Sequence, residues 1–392
     1  MEFNMLMLKS FQCFLLFCIL VVFPYQLALA IDSDQIPTVL NKGISALVTQ
    51  YDIPGASIAV VRNGKIIWIK TYGYADLDTK RPVNQDTLFQ ACSITKTLTS
   101  AEVMKVLKAY HIPLDAPVNR YLKRWKIPSN SFTKKHPVTL RTLLNHTAAI
   151  SNPYPDGGYR YNDTLPTLTQ LFLGVPPATN PTLTVTGIPG QKYSYCNGCY
   201  SILQMFLEDV TSKTYPELMS AQILKPAGMT NSFFDNQLFI KSPEKVALPY
   251  DPAHHRFPQA PTTSPIYATG LLWSTPTDLA RFLIAIQQSL TLSHGLLTRS
   301  QALALVTPSS TPTRGLGFFI SDQYGNEYRK GRYFMHSGNN VGYLTLMIGS
   351  MDGTNGAVIM INISPEWNAK DYPQYEFIKE SLKLIATYYH WQ

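Results

Sequence analysis

The sequence predicts an α+β fold in which strands from both ends of the chain build one antiparallel sheet. Near the N-terminus, residues 56–61 and 66–71 are rich in β-branched residues and flank Asn63-Gly64, the strongest short-range signal for a β-hairpin. Near the C-terminus, residues 332–336, 343–348 and 357–363 have the same strand character. The long middle of the chain has helical periodicity instead.

The remaining elements follow from apolar spacing and turn residues. Helices are expected at residues 38–51, 94–109, 139–145, 199–211, 216–224, 276–288 and 374–389. The prediction is a sheet covered by helices, with a mostly helical insertion beside it. Residues 153–189 are rich in Pro, Gly, Thr and Tyr and are too long for a plain connection, so we expect a structured functional loop there.

The first thirty residues have the organisation of an export signal. Lys9 precedes an apolar run over residues 11–23, and the small-residue pattern Ala-Leu-Ala ends at Ala30. The alternative is an uncleaved membrane anchor, because apolar residues continue past Pro24. We expect cleavage after Ala30, a mature domain over residues 31–392, and a periplasmic or secreted protein that contacts the membrane only if the signal is uncleaved.

Composition is that of an ordinary globular protein with a basic balance. The chain has 392 residues, of which 45% are hydrophobic and 15% are charged, and its formal net charge is +8. The predicted signal contains one Glu and one Lys, so its removal leaves that charge unchanged. A basic protein suits an anionic cell-envelope surface, but scattered lysines give the same value. Because no basic helix or aromatic-basic repeat is present, we expect no nucleic-acid partner.

Three Ser-x-x-Lys patterns occur, at residues 93–96, 131–134 and 242–245. The second lies in a polar loop between prolines, and in the third the serine is followed directly by a proline. Ser93 instead opens a helical run, with Glu102 on its polar face, so that Lys96 lies one turn further along.

A lysine with a lowered pKa can activate a serine, and a helix N-terminus favours an oxyanion. The structural alternative is that Ser93 only caps the helix and that Lys96 is solvated.

Two further motifs follow the first in the chain. Residues 189–200 contain Tyr195-x-Asn197, and residues 334–343 contain His336-x-Gly338 on a predicted strand. With Ser93-x-x-Lys96, these motifs stand in a fixed order.

With these motifs the chain resembles the serine β-lactamases and penicillin-binding peptidases. The branch it is similar to holds class C β-lactamases, D-alanyl-D-alanine carboxypeptidases, D-amino-acid peptidases and related esterases. Weaker similar segments run from about Ile53 to Ile363, at residues 53–56, 72–76, 87–89, 114–117, 139–147, 224–230 and 274–280. The resemblance implies a β-lactamase/transpeptidase-like fold and a serine hydrolase domain over residues 31–392.

The resemblance also implies roles for three catalytic residues. Ser93 would attack a carbonyl and hold the acyl group. Lys96 and Tyr195 would share the role of general base, since an adjacent ammonium makes a phenol easier to ionise.

Substrate binding would fall to four residues. Asn197 would bind an amide of the acyl group, and the backbone N–H groups of Ser93 and Asn339 would form the oxyanion hole. His336 and Gly338 would line the cleft opposite Tyr195.

From these roles we expect an exported D-alanyl-D-alanine carboxypeptidase-like peptidase or esterase. The alternatives are a class C-type β-lactamase and a catalytically weak penicillin-binding or sensing module. His336 favours the peptidase or esterase, because a histidine with a pKa of ~6.5 is mostly neutral at pH 7. With one hydrogen bond to donate, it holds a carboxylate less tightly than a lysine does. We expect a peptidoglycan stem peptide, a β-lactam or an ester as substrate, no metal or cofactor, and a monomer.

Other hydrolase classes fit less well. The sequence has no Gly-x-Ser-x-Gly pentapeptide, which an α/β-hydrolase needs, and its histidines form no His-Glu-x-x-His motif.

Three cysteines would stay in the mature chain, Cys92, Cys196 and Cys199. In an oxidising compartment we expect a bond between Cys196 and Cys199, or one from Cys92 to either of them. Cys196 and Cys199 also replace the Ser and Gly that are usual in the related motif. Ala148-Ala149 stands where many relatives have Ser-Gly.

Overall fold

The computed structural model describes residues 36–152, 158–160, 163–257, 263–292, 295–320, 333–365 and 373–391. The predicted export signal, residues 1–30, lies outside these ranges. So do residues 153–157 and 161–162 of the predicted functional loop, and Arg332 of a predicted strand. Within the described ranges, no helix has both the length and the apolar character that crossing a bilayer requires.

The sheet joins strands from the two ends of the chain, which confirms the predicted fold class. The strands are β1 (Gly55–Arg62), β2 (Lys65–Asp76), β3 (Arg81–Pro82), β4 (Phe89–Gln90), β5 (Trp273–Ser274), β6 (Phe319–Ile320), β7 (Tyr333–Asn340), β8 (Tyr343–Ser350) and β9 (Asn355–Ile361). Seven of them form one sheet in the order β3-β2-β1-β9-β8-β7-β6, with every neighbouring pair antiparallel. β4 and β5 form a separate small pair.

The first hairpin has the predicted turn. Asn63 and Gly64 both have positive φ angles, 47° and 71°, as a type I′ turn requires. The centre of the sheet is the pairing of β1 with β9, in which Val60 lies opposite Ala357. Because these residues are far apart in the chain, the sheet closes only when both ends of the chain meet.

Helices cover both faces of this sheet. They are α1 (Thr38–Gln50), α2 (Thr95–Ala109), α3 (Leu140–Leu144), α4 (Leu168–Leu173), α5 (Asn197–Thr211), α6 (Tyr215–Met219), α7 (Leu238–Lys241), α8 (Pro276–Thr291), α9 (Arg299–Val306) and α10 (Pro373–Tyr388). Ile58 of β1 belongs to a core with α1 and α10, whereas Ala59 belongs to the larger core with α2 and α8. Both faces of β1 are buried, which explains its continuous apolar sequence.

Three short helices, α4, α7 and α9, were missed by the sequence analysis. α4 and α9 each begin with a threonine that caps the helix, and in each a glutamine three residues later returns the hydrogen bond. This capping box was visible in the sequence as Thr167 with Gln170 and as Thr298 with Gln301. Short apolar runs carry too little periodicity to predict such helices without it.

The helix α2 is buried on almost every side, where the sequence predicted a polar face. Its hydroxyl groups bond to backbone carbonyls one turn earlier, as Ser100 does to Lys96 at 2.9 Å. Glu102, expected in solvent, is only 1% exposed. Burial raises the pKa of Glu102 to about 8. The helix that carries Lys96 is therefore a central element of the core.

Candidate active site

The turn that carries Ser93 begins with a strained residue. Ser93 is the middle residue of a 3₁₀ turn, Cys92–Ile94, that leads directly into α2. Cys92 has a φ of 51°, and this left-handed conformation costs a residue with a Cβ roughly 1–2 kcal/mol. Such strain persists only where the surrounding structure imposes it, and it is common at functional sites. The backbone thus changes direction immediately before Ser93.

Gly338 on β7 lets the sheet approach this turn. A Cβ at Gly338 would lie 2.6 Å from the Cβ of Cys92 and 2.9 Å from the carbonyl oxygen of Ala91, so a larger residue would push the two apart. The Cys92 thiol is buried and donates to the carbonyl oxygen of Gln90 at 3.2 Å. Burial raises the pKa of Cys92, so the residue next to Ser93 stays a thiol and packs as an apolar group.

Lys96 lies in direct contact with Ser93. Its Nζ is 3.1 Å from the Oγ of Ser93 and donates to the carbonyl oxygen of Thr269 at 2.6 Å. Lys96 has no exposed surface, and this burial lowers its pKa to about 7 because desolvation penalises the ammonium form. Near neutral pH a large fraction of the side chain is the free amine, which can accept the proton of Ser93.

Tyr195 completes the predicted catalytic group. The Nζ of Lys96 lies 5.1 Å from the centroid of the Tyr195 ring. That ring also stacks on His146, with centroids 4.6 Å apart. The Cys196 N–H donates to Nδ1 of His146 at 3.0 Å, and the Ser194 N–H donates to the carbonyl oxygen of His146 at 2.9 Å. His146 therefore holds both chain neighbours of Tyr195.

The disulfide lies in the same loop. Cys196 and Cys199 are bonded, with Cα atoms 5.3 Å apart, and Cys92 is free. Of the three pairings left open by the sequence, the structure has the one within the Tyr195 loop. Cys196 is also the N-cap of α5, and Asn197 is the first residue of that helix. The bond ties the first turn of α5 to the residue that follows Tyr195.

His336 lies on the opposite wall and is almost fully buried. Its ring stacks on Phe319 at 4.6 Å, and its Nδ1 is 2.6 Å from the carbonyl oxygen of Ser337. Because a carbonyl only accepts, Nδ1 carries the proton and Nε2 has only a lone pair. Burial, and then the nearby charges of Lys96 and Arg314, lower the pKa of His336 to about 3.

These facts correct the expectation for His336. The sequence analysis gave it the ordinary pKa of histidine and one hydrogen bond to donate to a substrate. In the structure its N–H is already used by Ser337, and burial keeps the ring neutral at ordinary pH. Its Nε2 is buried without a hydrogen-bond partner, and the histidine has no donor to offer a carboxylate.

The edge of β7 beside Ser93 is open in the described part of the chain. β6 pairs only with Phe334 and Met335, so the segment from His336 to Asn340 has no described strand on that side. Asn339 lies in this segment, paired with Leu344 on its other side. Backbone groups of an open strand edge can bind an extended substrate.

Arg314, a cation that the sequence analysis did not single out, lies between the Tyr193 side and the Phe319 side of the site. The guanidinium carbon of Arg314 is 4.2 Å from the ring centroid of Phe319 and 5.1 Å from that of Tyr193. Phe319 is also the ring on which His336 stacks. Arg314 carries no motif, so only the tertiary structure reveals it. His146 and the Thr269 carbonyl were missed for the same reason.

The fold and this site together are those of the serine β-lactamase and penicillin-binding hydrolase superfamily. The chain belongs to the beta-lactamase family, whose model, described as Beta-lactamase, matches residues 40–378. This match confirms the resemblance drawn from the motifs.

Solved structures share the fold. An octameric penicillin-binding protein homologue from Pyrococcus abyssi has a TM-score of 0.71 and 23% identity, covering 89% of this chain and 77% of that one. D-amino acid amidase from Ochrobactrum anthropi SV3 has a TM-score of 0.70 and 21% identity, covering 89% and 99%. Since the first of these is octameric, the expectation of a monomer stays a prediction.

The curated relatives match this chain over a smaller part of its length. A putative penicillin-binding protein, PbpX, from Bacillus subtilis is 26% identical over 294 residues, which are 74% of this chain and 68% of that protein. Protein flp from Staphylococcus aureus is 27% identical over 205 residues, and the matched region spans 52% of this chain but only 38% of the relative.

The strained loop around His146 leads to a prediction about stability. Ala149, which stands where many relatives have Gly, has a φ of 54°. Ala149→Gly should stabilise the protein by up to about 1 kcal/mol, because the strain it relieves exceeds the added chain entropy. Thermal unfolding would measure this as a higher Tm. Ala148→Gly is the matched control and should lower the Tm, because Ala148 is fully buried and has no positive φ. A Tm that falls equally in both variants would contradict the account.

The two neutral histidines lead to a prediction about acid stability. Burial lowers the pKa of His146 well below 6.5 and that of His336 to about 3. Below pH ~6.5 the unfolded chain therefore binds protons that the folded rings do not. Each such ring lowers the free energy of unfolding by up to about 1.4 kcal/mol for every unit by which the pH falls. The contribution of these two rings to the free energy of unfolding should therefore decrease between about pH 7 and pH 5, whereas the raised pKa of Glu102 acts in the opposite direction.

Calorimetry across this range would measure the slope. His336→Gln should make it shallower, whereas His136→Gln, at an exposed position, should not. An identical slope in both variants would show that His336 does not stay neutral.

Proposed function

We propose that this protein is an exported serine hydrolase that forms a covalent acyl-enzyme on Ser93, with the specificity of a D-alanyl-D-alanine carboxypeptidase-like peptidase or an esterase. The observation that carries the proposal is the 3.1 Å contact between the Lys96 Nζ and the Ser93 Oγ. Lys96 is buried and its pKa is lowered to about 7. At neutral pH part of the Lys96 population is therefore the unprotonated amine, which can act as a base for Ser93.

Acylation would proceed by direct attack. The neutral amine of Lys96 accepts the proton of Ser93 as the Oγ forms a bond to the substrate carbonyl carbon. Lys96 and Tyr195 then return a proton to the leaving group as its bond to the acyl carbon breaks. Water later attacks the acyl-enzyme with the same groups as base, which releases the acid and frees Ser93.

Charge on the carbonyl oxygen would be stabilised by the backbone. Ser93 lies in the 3₁₀ turn that leads into α2, and the first N–H groups of a helical segment are the ones that lack partners inside it. Asn339 lies in the open segment of β7 that packs near this turn. Two such donors are worth several kcal/mol in a transition state. Asn197, at the start of α5 beside Tyr195, would bind an amide of the acyl group.

The state of His336 supports a peptidase or esterase over the class C-type β-lactamase. A penicillin and a D-alanyl terminus both carry a free carboxylate, but related β-lactamases usually have a lysine at this position, whereas some carboxypeptidase relatives have a histidine there. His336 is neutral and has no free N–H. D-amino acid amidase, with its similar fold, is consistent with amide substrates. Export is proposed from residues 1–30 alone.

The nucleophile can be tested by labelling. Intact-mass spectrometry after treatment with a fluorophosphonate should show one adduct, which is absent in Ser93→Ala. Ser131→Ala and Ser242→Ala are matched controls, since each removes the serine of another Ser-x-x-Lys pattern, and both should still be labelled. Lys96→Ala and Tyr195→Phe should slow labelling by about a hundredfold to ten-thousandfold. An adduct mapped to Ser131 or Ser242 would overturn the assignment.

The substrate class can be tested with a panel of p-nitrophenyl acetate, a D-alanyl-D-alanine peptide and nitrocefin. The kcat/KM for the ester should rise with pH through about 7, since the deprotonated form of Lys96 is the active one and its pKa is about 7. Nitrocefin should be the poorest of the three.

Two results would replace this proposal with one of its alternatives. Efficient nitrocefin hydrolysis would favour a β-lactamase. Stoichiometric labelling of Ser93 without turnover of any substrate would favour a penicillin-binding or sensing module.

A further inference from the structure

The Cys196–Cys199 disulfide begins inside the Tyr195-x-Asn197 motif, because Cys196 is the residue between Tyr195 and Asn197. Tyr195 belongs to an irregular segment, residues 193–196, that directly precedes α5. The residue is 42% exposed, so core packing restrains it less than it restrains the buried residues around it. The position of the phenol relative to Lys96 therefore depends on what holds the backbone on either side of Tyr195.

Cys199 is the rigid end of this bond. It lies in the first turn of α5, has no exposed surface and belongs to the large core. The hydroxyl oxygen of the next residue, Tyr200, lies 3.0 Å from that of Ser100 on α2. Because α2 also carries Lys96, the disulfide completes a continuous series of contacts from the helix that carries the base to the residue that follows Tyr195.

Cys196 is the end that can move. Its N–H donates to Nδ1 of His146 at 3.0 Å, and its sulfur lies 3.6 Å from the carbonyl oxygen of Ile150. A disulfide sulfur has no proton for that carbonyl, whereas a thiol has one to donate. Two unbonded sulfurs also lie further apart than two bonded ones, because they repel at short distance. Since Cys199 is fixed in the helix, loss of the bond would shift Cys196 toward Ile150, and Tyr195 with it.

The bond can be opened and closed by thiol–disulfide exchange. A thiolate of a dithiol reductant attacks one sulfur, the Cys196–Cys199 bond breaks and a mixed disulfide forms, and the second thiol of the reductant then displaces the protein sulfur. Two electrons and two protons pass to the protein, which gains two thiols, and the reductant becomes a disulfide. Cys196 is the N-cap of the 15-residue helix α5, and a helix N-terminus favours the thiolate that takes part in this exchange.

We propose that the Cys196–Cys199 disulfide is a positioning element for catalysis, which holds Tyr195 where its phenol acts together with Lys96, so that the enzyme is fully active only in the oxidised form. The inference rests on the proposed acyl-enzyme function and deepens it, because it makes that function depend on an oxidising environment. The Ser and Gly that are usual at these two positions in the related motif form no such bond. The dependence is therefore a property of this chain's own cysteines.

Labelling of Ser93 in the two redox states tests this proposal. The protein is kept oxidised or is reduced with dithiothreitol, and alkylation after denaturation should add two more groups to the reduced form. Reduction should lower the rate constant of fluorophosphonate labelling about 10- to 100-fold, since a misplacement of about 1 Å can cost a rate factor of about a hundred. The final extent of labelling should be unchanged, and oxidised glutathione should restore the rate.

Two variants show whether the bond acts through Tyr195. Cys199→Ala removes the bond without a reductant, and it should label as slowly as the reduced wild type and show no further response to dithiothreitol. In Tyr195→Phe, reduction should change the already slow rate less than about threefold, because the group that the bond positions is absent. A general loosening of the fold would instead lower the rate of Tyr195→Phe by the same factor as that of the wild type.

Two controls address the remaining thiol and the cap of α5. Cys92→Ala removes the free cysteine of the described residues, and its ratio of oxidised to reduced rate should equal that of the wild type. The double variant Cys196→Ser with Cys199→Gly has the residues that are usual in the related motif, and its rate should not respond to dithiothreitol.

The outcomes are distinguishable. If the fully reduced wild type labels as fast as the oxidised protein, or if Tyr195→Phe loses rate on reduction by the same factor as the wild type, the bond has only a structural role. This inference is then wrong while the proposed function stands. If dithiothreitol does not open the bond, Cys199→Ala decides, and a wild-type rate in that variant overturns the inference. If Ser93 takes no fluorophosphonate in either state, the proposed function fails and the inference fails with it.

Discussion

The desolvation of Lys96 is the constraint on which the rest of this structure depends. An ammonium group without exposed surface is expensive, and the protein offsets the cost with two hydrogen bonds and two aromatic rings, those of Tyr195 and Tyr200. To bury Lys96, α2 has to lie in the middle of the core, and its hydroxyl groups have to bond to its own backbone. The remaining cost appears as a lowered pKa, which is the property that a base for Ser93 needs.

Backbone strain and the close approach of two segments place Ser93 beside Lys96. The left-handed Cys92 bends the chain before Ser93, and Gly338 lets β7 come into contact with that bend. A second left-handed residue, His146, with a φ of 61°, lies under Tyr195. Both positions cost free energy that packing elsewhere must supply. The two sides of the candidate site, around Ser93 and Tyr195, are therefore held by backbone geometry as well as by side-chain contacts.

The basic groups of the cleft differ in their charge near neutral pH. His146 and His336 are neutral because burial lowers the pKa of both, and each uses Nδ1 for one backbone hydrogen bond, one as an acceptor and one as a donor. Lys96 is partly neutral near pH 7. Arg314 lies between the aromatic rings of Phe319 and Tyr193.

The sequence alone determined the sheet and the order of the motifs. Alternation and turn residues such as Asn63-Gly64 are local, so the five long strands and most helices followed from them, whereas the two-residue strands β3 to β6 did not. Ser93 with Lys96 followed from helical spacing. Tertiary structure decided what depends on burial and on contacts between distant segments: the pKa of Lys96, the donor that His336 lacks, and the place of Arg314. A pKa depends on how much water reaches a group and on which charges face it, and neither is a property of neighbouring residues in a sequence.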